Sequence, residues 1–337
     1  MLSNFTTTIL KWFAENGRYL PWRETKDPYA IWLSEIILQQ TRIQQGRAYW
    51  ERFMSRWPNV EALAAATEDE VLREWQGLGY YSRARNLHAA AQQIVQAGHF
   101  PNTIEEIKQL KGVGDYTAAA IGSIAFNLPA AVVDGNVYRV LARHFGIDTP
   151  INTTEGKKLF TALAEELLPL KEASAYNQGM MDFGAVQCTP LSPKCSNCPL
   201  AETCEAFRTG RTNELPVKLK NLKIKKRHLK YFFIKWNGKT AIHRREAGDI
   251  WQGLWEPFVM EGEGNPDWLT PDCKLSVIAI GVKHVLTHRI LTADSFLVET
   301  SKKPILPENY IWIDEKDIQQ YGIPRLVEIL LEKMYAK

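Results

Sequence analysis

The sequence predicts an all-α region followed by a smaller α+β domain, and three observations support this division. Apolar residues recur at helical spacing through the first two thirds of the chain, and strand-like alternation is not found before residue 229. Residues 212–230 then carry seven lysines or arginines against one glutamate. After this segment, period-two alternation flanks Asn237-Gly238, a dipeptide typical of a tight β-hairpin turn. We therefore expect an all-α region at 1–211, a basic linker at 212–229 and an α+β domain at 230–337.

Composition sets the outer limits on function. The 337 residues are 45% hydrophobic and 23% charged, which is ordinary for a globular protein and enough for two separate cores. The formal net charge is only +3, so the overall charge is weak evidence for nucleic-acid binding. Evidence for such binding must come from where the basic residues lie in the chain. The N-terminal stretch lacks the basic start of a signal peptide, and the longest apolar run is too short to span a bilayer. We expect a reducing, intracellular setting with no membrane contact.

Hydrophobic periodicity predicts a series of amphipathic helices joined by short loops in the all-α region. Thr67 followed by Glu70 is a capping box, which marks the start of one of them. The predicted helices cover residues 6–16, 29–53, from 67 onward, 84–97, 116–124, 137–145 and 154–168. In the α+β domain, further strands are predicted at 276–282 and 295–298, and a closing helix at 324–334.

A glycine turn near the middle of the chain is a candidate phosphate site. Gly112 and Gly114 permit a turn with positive φ that leaves its backbone N–H groups uncovered. A helix that contains Tyr116 follows directly, and its first N–H groups and dipole favour an anion. An ordinary helix-to-helix turn is the simpler alternative. However, Asp134 lies 20 residues after Gly114, and the whole arrangement resembles the helix-hairpin-helix plus Asp signature of base-excision DNA glycosylases.

Two carboxylates are expected to lie in opposite environments. Glu35 shares a helix face with Ile31 and Leu38, so its pKa should rise and the carboxyl should stay protonated. Asp134 precedes the helix at 137–145, where capping N–H groups and the dipole favour the charged form. A neutral acid and a fixed carboxylate are what cleavage of a glycosidic bond requires. Taken singly, a solvent-facing glutamate and a simple helix cap are the competing interpretations, and the pairing of the two is a hypothesis.

Four cysteines within 17 residues indicate a metal site. Their spacing is C-x6-C-x2-C-x5-C, and thiols in a reducing compartment are more often ligands than disulfides. Structural zinc usually shows two C-x2-C pairs separated by a dozen or more residues, whereas one such pair is present here. A compact all-cysteine loop around a [4Fe–4S] cluster therefore fits better, with zinc as the alternative. The candidate ligands are Cys188, Cys195, Cys198 and Cys204.

Together with the LPWR segment at 20–23 and the LQQT segment at 38–41, these motifs resemble the adenine DNA glycosylases of the MutY type over essentially the whole chain. The resemblance implies that Glu35 protonates the adenine ring and that Asp134 stabilises the cationic sugar, with Tyr116 and Asn136 assisting. It implies that the four cysteines hold the [4Fe–4S] cluster. It also implies duplex contacts at Gln40, Tyr80, Gly112 and Gly114, and an adenine pocket that includes Trp22, Arg23 and Gln178.

Tyr116 separates two related activities. The similar endonuclease III enzymes have a lysine there, which forms an imine with the sugar and cleaves the strand; tyrosine cannot do so. We therefore expect a monofunctional enzyme that removes adenine mispaired with 8-oxoguanine or guanine in double-stranded DNA. We expect it to act as a monomer in the cytoplasm, associated with the nucleoid. The alternatives are a mismatch thymine or other-base glycosylase, an endonuclease III-like enzyme, and a non-catalytic iron-sulfur DNA-binding protein.

The α+β domain resembles the Nudix-like C-terminal domain of the same family. It lacks the clustered glutamates of Nudix hydrolases, so we expect it to recognise DNA and not to hydrolyse nucleotides. The resemblance implies that Thr287 and His288 reach the 8-oxoguanine. Leu286 takes the place of the family's phenylalanine there, which keeps an apolar wedge and loses an aromatic face. Two further departures are Lys111 and Asp115 beside the glycine turn, and we expect Asp115 to point away from DNA.

Overall fold

The computed structural model describes residues 3–219, 224–262 and 264–336 and divides into two compact units. The first unit combines the described residues up to 64 with 89–219, and the second combines 65–88 with those from 224 onward. The expected boundaries at 211 and 230 do not separate these units, because residues 65–88 pack with the C-terminal part. Within these described ranges, no helix has both the length and the apolarity that a membrane span requires.

The region before residue 212 is helical, as predicted. Many of its helices begin at a residue whose side chain caps the first backbone N–H groups. The predicted capping box of Thr67 and Glu70 is confirmed. The helices are α1 (Asn4–Asn16), α2 (Pro28–Leu38), α3 (Ile43–Arg56), α4 (Val60–Ala65), α5 (Glu68–Glu74), α6 (Ser82–Ala97), α7 (Ile104–Gln109), α8 (Asp115–Phe126), α9 (Gly135–Phe145), α10 (Thr154–Leu167), α11 (Ala173–Asp182) and α12 (Glu205–Arg208).

The single helix predicted at 29–53 is wrong, because the chain turns between α2 and α3. Gln40 adopts φ +55°, a left-handed conformation that α-helices of L-residues do not contain. The Thr41 N–H donates to the Leu38 carbonyl at 3.1 Å, and the Gln39 amide donates to Thr117 Oγ1 at 3.1 Å. The polar run Gln-Gln-Thr is thus a turn that α8 holds in place, and it leaves Gln40 exposed.

Among the described residues, two apolar clusters pack helices of the first unit against one another. The larger one packs α1, α9, α10 and α11 around fully buried side chains such as Ile9, Leu141 and Phe160. The smaller one packs α2 against the small residues of α8, with Ile31 against Ala119 and Ala120. Burial of one such large side chain contributes roughly 1.5–3 kcal/mol. The two clusters bring the middle of α2, the start of α9 and the end of α11 to one place.

The second unit contains one six-stranded mixed sheet, which confirms the predicted α+β class. The strand order is β4-β5-β1-β3-β2-β6; β1 and β5 are parallel and the other pairs are antiparallel. The strands are β1 (Lys225–Lys235), β2 (Lys239–Arg244), β3 (Trp255–Glu261), β4 (Lys274–Val285), β5 (Arg289–Glu299) and β6 (Tyr310–Asp314), and α13 (Arg325–Tyr335) closes the domain.

The predicted hairpin exists only as a turn. Asn237 and Gly238 both have positive φ, and Trp236 bridges to Lys239, but β1 and β2 then diverge. β3 lies between them, because its first residues pair with β2 and its last with β1. Pro257 falls where β3 changes partner, and a residue without an N–H is tolerated there. β1 begins at Lys225, inside the range predicted as a basic linker, and Lys220 and Lys223 of that linker lie outside the described residues.

Residues 65–88 are held in the second unit by specific contacts. Arg244 Nη2 donates to Glu68 Oε1 at 2.8 Å, and Arg85 Nη2 donates to Gln252 Oε1 at 3.2 Å. Gly253 has φ +83°, and a Cβ at this position would lie 3.1 Å from a methyl carbon of Leu72. A side chain there would be disfavoured by both backbone conformation and space. The α+β domain is therefore built together with α5 and the loop that carries Tyr80.

Candidate active site and recognition surface

The first unit contains a cavity of about 180 Å³ that is lined by side chains from six elements. They come from the 3-10 turn Pro21–Arg23, α2, the start of α3, α8, the start of α9, and α11. Seven of the residues predicted from the sequence line it: Trp22, Arg23, Glu35, Tyr116, Asp134, Asn136 and Gln178. Residues that the sequence reasoning missed also line it, among them Arg18, Ser34, Thr41 and Met181.

Glu35 lies in the middle of α2, and its side chain is almost completely buried. Burial raises the pKa of Glu35 to about 7, because the charged form loses its hydration. The charge of Asp134 adds to this rise of the pKa, while a hydrogen bond from Tyr116 and the charge of Arg23 oppose it. A large fraction of Glu35 is therefore protonated near neutral pH, as the apolar helix face predicts, and it can give a proton to a ligand in the cavity.

Asp134 is the N-cap of α9, as expected, and its carboxylate is well supplied with donors. Oδ1 accepts from the backbone N–H groups of Asn136 and Val137, both at 2.8 Å, and Oδ2 accepts from Asn136 Nδ2 at 2.7 Å. The expectation that capping would favour the charged form is corrected in one respect. Burial raises the pKa of Asp134 above its ordinary value, and the hydrogen bonds and the charge of Arg139 only reduce that rise.

Tyr116 lines the same cavity and is hydrogen-bonded to Glu35. It lies in the first turn of α8, and its hydroxyl donates to Glu35 Oε2 at 3.4 Å. Burial raises the pKa of Tyr116 well above 10, and the charges of Glu35 and Asp134 raise it further. Its hydroxyl therefore stays protonated across the physiological range and acts as a donor.

Arg139 extends this site toward the cysteines, and the sequence reasoning missed it. Its Nη2 donates to Asn136 Oδ1 at 2.8 Å and to the Gly184 carbonyl at 2.6 Å, and its Nε donates to the Cys188 carbonyl at 2.8 Å. Gly184 lies in a π-helical turn, where a Cβ would come within 2.6 Å of the Asn136 Cβ. The one available signal was an arginine three residues after Asn136, on the same face of a helix.

The four cysteines are free thiols that line one small cavity in the first unit. Buried Arg143 points into it, with Nη1 3.4 Å from Cys188 Sγ, and its other donors bind backbone carbonyls. A guanidinium beside one of these thiols favours a bound group with negative charge, so the four cysteines and Arg143 fit an anionic iron-sulfur cluster. Across residues 3–219, 224–262 and 264–336, no three His, Cys, Asp or Glu side chains are already placed to hold a metal ion.

The candidate DNA contacts Gln40, Gly112 and Gly114 lie in turns of the first unit. Gln40 is exposed and has positive φ, which for a residue other than glycine marks local strain. Gly112 has φ +78°, which confirms the predicted turn, whereas Gly114 is extended and caps α8. A Cβ at Gly114 would meet nothing within 4 Å, so the backbone there is accessible. Exposed Asp115 forms an ion pair with Lys108, which offsets its negative charge beside this turn.

The second unit has a broad cavity of about 870 Å³ that contains the remaining predicted residues. Thr287 and His288 form the exposed tip of a two-residue turn between β4 and β5, closed by Leu286 N–H to the Arg289 carbonyl at 2.8 Å. The Tyr80 hydroxyl is hydrogen-bonded to Thr287 Oγ1, and Tyr80 has φ +48°. Leu286 is half-buried against the apolar core of the domain, so it is less available as a wedge than expected.

Both parts of the chain match known families. The HhH-GPD superfamily of base excision DNA repair proteins matches residues 33–169, and the NUDIX domain family matches residues 230–333. These matches agree with the helical unit that carries the first cavity and with the mixed sheet that follows it.

Among solved structures, a thermostable thymine-DNA glycosylase is similar at 33% identity and a TM-score of 0.57, over 61% of this chain and 95% of that one. An endonuclease III in a non-covalent complex with DNA has the same fold at 22% identity and a TM-score of 0.53, over 62% of this chain and 99% of that one.

Curated relatives extend the likeness to the whole chain. The adenine DNA glycosylase of Buchnera aphidicola subsp. Baizongia pistaciae is 34% identical over 98% of this chain and 96% of its own length. The adenine DNA glycosylase of Mus musculus is 41% identical over 63% of this chain and 43% of its own length. Because the first match includes both units at this identity, and because Glu35 and Asp134 face one cavity, the chain belongs to the adenine DNA glycosylases of the helix-hairpin-helix superfamily.

Proposed function

We propose that the chain hydrolyses the N-glycosidic bond of an adenine that has been flipped out of duplex DNA into the cavity of the first unit. The observation that carries the proposal is the pairing, in one cavity, of Glu35, whose pKa is about 7, with Asp134, whose carboxylate is held by three hydrogen bonds. Extrusion of a base costs a few kcal/mol and is least costly at a mispair.

In this proposal the two carboxyl groups have separate tasks. Glu35 gives its proton to a ring nitrogen of adenine, so that the base leaves with the bonding electrons as a neutral molecule. The deoxyribose that remains has a positively charged, oxocarbenium-like carbon, which the Asp134 carboxylate stabilises. Water then adds to that carbon and gives up a proton, for which the Glu35 carboxylate is an available base. Tyr116 holds Glu35 by its hydrogen bond, and Asn136 holds Asp134.

The products in this proposal are free adenine and an intact strand with an abasic site. Strand cleavage by related enzymes proceeds through an imine between a lysine and the sugar. Here the corresponding side chain is Tyr116, which has no amine and whose hydroxyl is turned toward Glu35.

We propose that the second unit reads the base opposite adenine, with 8-oxoguanine preferred over guanine. Thr287 and His288 are exposed at the tip of their turn and offer hydrogen-bond donors and acceptors to a base edge. Tyr80 is already bonded to Thr287, and its exposed ring can stack on a base. Trp251 lines the same cavity and provides an aromatic surface that Leu286 does not.

We further propose that Cys188, Cys195, Cys198 and Cys204 hold a [4Fe–4S] cluster. When bound, such a cluster would tie the 188–204 loop together and place Lys194 on a rigid loop beside DNA phosphates. Arg143 supports this because its guanidinium points to Cys188 Sγ and offers charge to an anionic group.

An excision assay on matched duplexes tests the proposal. Duplexes with adenine opposite 8-oxoguanine, guanine or thymine are incubated with the protein, and strand breaks are measured on a denaturing gel with and without alkali. We expect alkali-dependent breaks at adenine opposite 8-oxoguanine and guanine, and none opposite thymine. Breaks without alkali would indicate an endonuclease III-like reaction. A duplex with a thymine-guanine mispair tests the activity named for the 33% identical structure, and excision of thymine alone would overturn the proposal.

A further inference from the structure

Asp182, at the end of α11, is a buried carboxylate shared by two arginines. Its Oδ2 accepts from the Arg18 backbone N–H at 2.8 Å and from Arg23 Nη1 at 2.8 Å. Its Oδ1 accepts from Arg18 Nε at 3.0 Å and from Arg23 Nη2 at 2.9 Å, and Arg18 Nη2 also donates to it. The carboxylate thus accepts five hydrogen bonds, four of them from guanidinium groups. This is far more than a helix end requires.

The three side chains differ in their access to the cavity. Arg18 and Arg23 line it and are 29% and 12% exposed, whereas the Asp182 side chain is 0% exposed. Asp182 therefore contacts residues that line the cavity but does not line it itself, so it does not touch a base there. Gln178, one turn earlier on α11, does line the cavity, so one helix supplies both a wall residue and the anchor of two others.

Electrostatics explains why such an anchor is needed. Two guanidinium groups so close together repel each other, and a nearly buried Arg23 is costly without a counter-charge. Burial alone would raise the pKa of Asp182, but hydrogen bonds from Arg23 and Arg18 outweigh it and hold that pKa below its ordinary value. The carboxylate therefore stays charged at neutral pH, and the group formed by Arg18, Arg23 and Asp182 has a net charge of +1. Arg23 also donates to the Arg18 carbonyl at 3.0 Å, which further orders the pair.

We propose that Asp182 is a positioning residue for base excision: it fixes Arg18 and Arg23 as an oriented pair of donors on the cavity wall. This inference rests on the proposed excision of a flipped adenine. The fixed pair has two effects. It presents remaining N–H donors to the ring nitrogens of the base, and it holds the charge of Arg23 at a set distance from Glu35, whose pKa that charge lowers. Loss of Asp182 frees both arginines without removal of any group that contacts the base.

A double-mutant cycle tests the proposal. The variants are Asp182→Asn, the pair Arg18→Gln and Arg23→Gln, and all three together, with Asp148→Asn as the matched control because Asp148 is an exposed carboxylate on the same unit. The single-turnover rate of adenine release, duplex affinity, thermal unfolding and the pH profile are measured. We expect Asp182→Asn to lower the rate about tenfold or more, in line with the effect of misplaced groups, with duplex affinity little changed.

The proposal predicts that the effect of Asp182→Asn on the rate depends on the presence of Arg18 and Arg23. When both arginines are already glutamine, Asp182→Asn should lower the rate by less than about threefold, since its partners are gone. Asp182→Glu, which keeps the charge, should recover part of the rate and should leave the pH profile closer to that of the unmodified protein. An equal loss in both backgrounds, together with an unchanged pH profile, would overturn the proposal and leave a structural role. If Asp182→Asn does not fold, the rates of adenine release by Asp182→Glu and Asp182→Ala are compared instead. Equal rates for these two variants would overturn the proposal. Absence of adenine release by the unmodified protein would contradict the proposed function itself, which is a separate result.

Discussion

Arg139 donates a 2.8 Å hydrogen bond from Nε to the carbonyl oxygen of Cys188, and its Nη2 lies 2.8 Å from Asn136 Oδ1. Asn136 donates in turn to Asp134 Oδ2 at 2.7 Å. One guanidinium therefore connects the start of the cysteine loop to the carboxylate that is proposed to stabilise the sugar. The link is partly buried and made of charge-assisted bonds, so we expect the position of Asp134 to depend on the order of that loop.

Replacement of Arg139 with glutamine should slow excision although Arg139 is not proposed to touch the substrate. The change removes the bonds to Asn136 and Cys188, which lets the Asp134 carboxylate shift, and we expect the single-turnover rate to fall about tenfold or more. Iron content should be measured on the same preparations. Arg47→Gln is the control, because Arg47 is an exposed arginine paired with Glu51 on the helix surface. A rate equal to that of the control would show that this link does not support Asp134.

Replacement of Glu35 with glutamine should abolish adenine release and leave duplex binding nearly intact. The amide keeps the size of the side chain but cannot give up a proton to the base. Single-turnover excision at neutral pH and affinity for a duplex with adenine opposite 8-oxoguanine check the two halves of this prediction. Substantial release of adenine by the variant would remove Glu35 from the mechanism.

The same substitution should stabilise the fold at high pH. The pKa of Glu35 is about 7 in the folded protein against 4.5 as the ordinary value, so the folded state holds the proton more tightly than the unfolded chain. The cost of ionising buried Glu35 is thus absent below about pH 4.5, grows between pH 4.5 and 7, and is complete above pH 7. It is on the order of 3 kcal/mol when fully developed. We expect the unfolding midpoint of Glu35→Gln to exceed that of the unmodified protein at pH 8 but not at pH 4.5. Equal differences at both pH values would contradict the raised pKa.

Residue type and local spacing in the sequence were sufficient to select Glu35 and Asp134 as candidate catalytic residues. Glu35 on an apolar helix face and Asp134 before a helix are local patterns, and the structure places both in one cavity. Asp182 and Arg139 were missed because their meaning lies in partners more than forty residues away, such as Arg23 and Cys188. Helical spacing alone shows a charged residue on a helix and cannot show what it faces.

The α+β domain illustrates the same limit at the level of strands. Asn237-Gly238 predicts a turn correctly, but the place of β3 between β1 and β2 depends on pairing with residues far along the chain. The inclusion of residues 65–88 in this unit is likewise a matter of tertiary contacts, for example between Arg244 and Glu68.

The cysteine loop should bind iron. Purified without oxygen, the protein should be brown and contain about four irons per chain, as expected for one [4Fe–4S] cluster. Metal analysis and the visible absorption spectrum check this. Substitution of Cys198 with serine should lower the iron content, whereas the same change at Cys273, which lies in the second unit, should not. Stoichiometric zinc in place of iron would show that the spacing had been misinterpreted.

The turn at Thr287 and His288 should govern the choice of opposite base and not the excision itself. Substitution of both with alanine removes the polar groups at the tip and the hydrogen bond between Thr287 and Tyr80, while the proposed catalytic cavity is in the first unit. We expect the preference for 8-oxoguanine over guanine opposite adenine to fall by about tenfold, the size of one or two lost hydrogen bonds, with adenine still released.

This double substitution is a cleaner test than removal of the residues after about 227. Such a truncation would cut β1 and also expose the face of α5 that carries Leu72, which is buried in the second unit. A truncated protein could therefore lose activity through instability alone, although Glu35 and Asp134 both lie outside the removed part. Thr300→Ala, at a partly exposed site in the same domain, is the matched control for the double substitution. Single-turnover rates on the two duplexes, at equal fractions of bound DNA, give the preference directly. Unchanged discrimination in the double variant would show that this turn does not read the lesion.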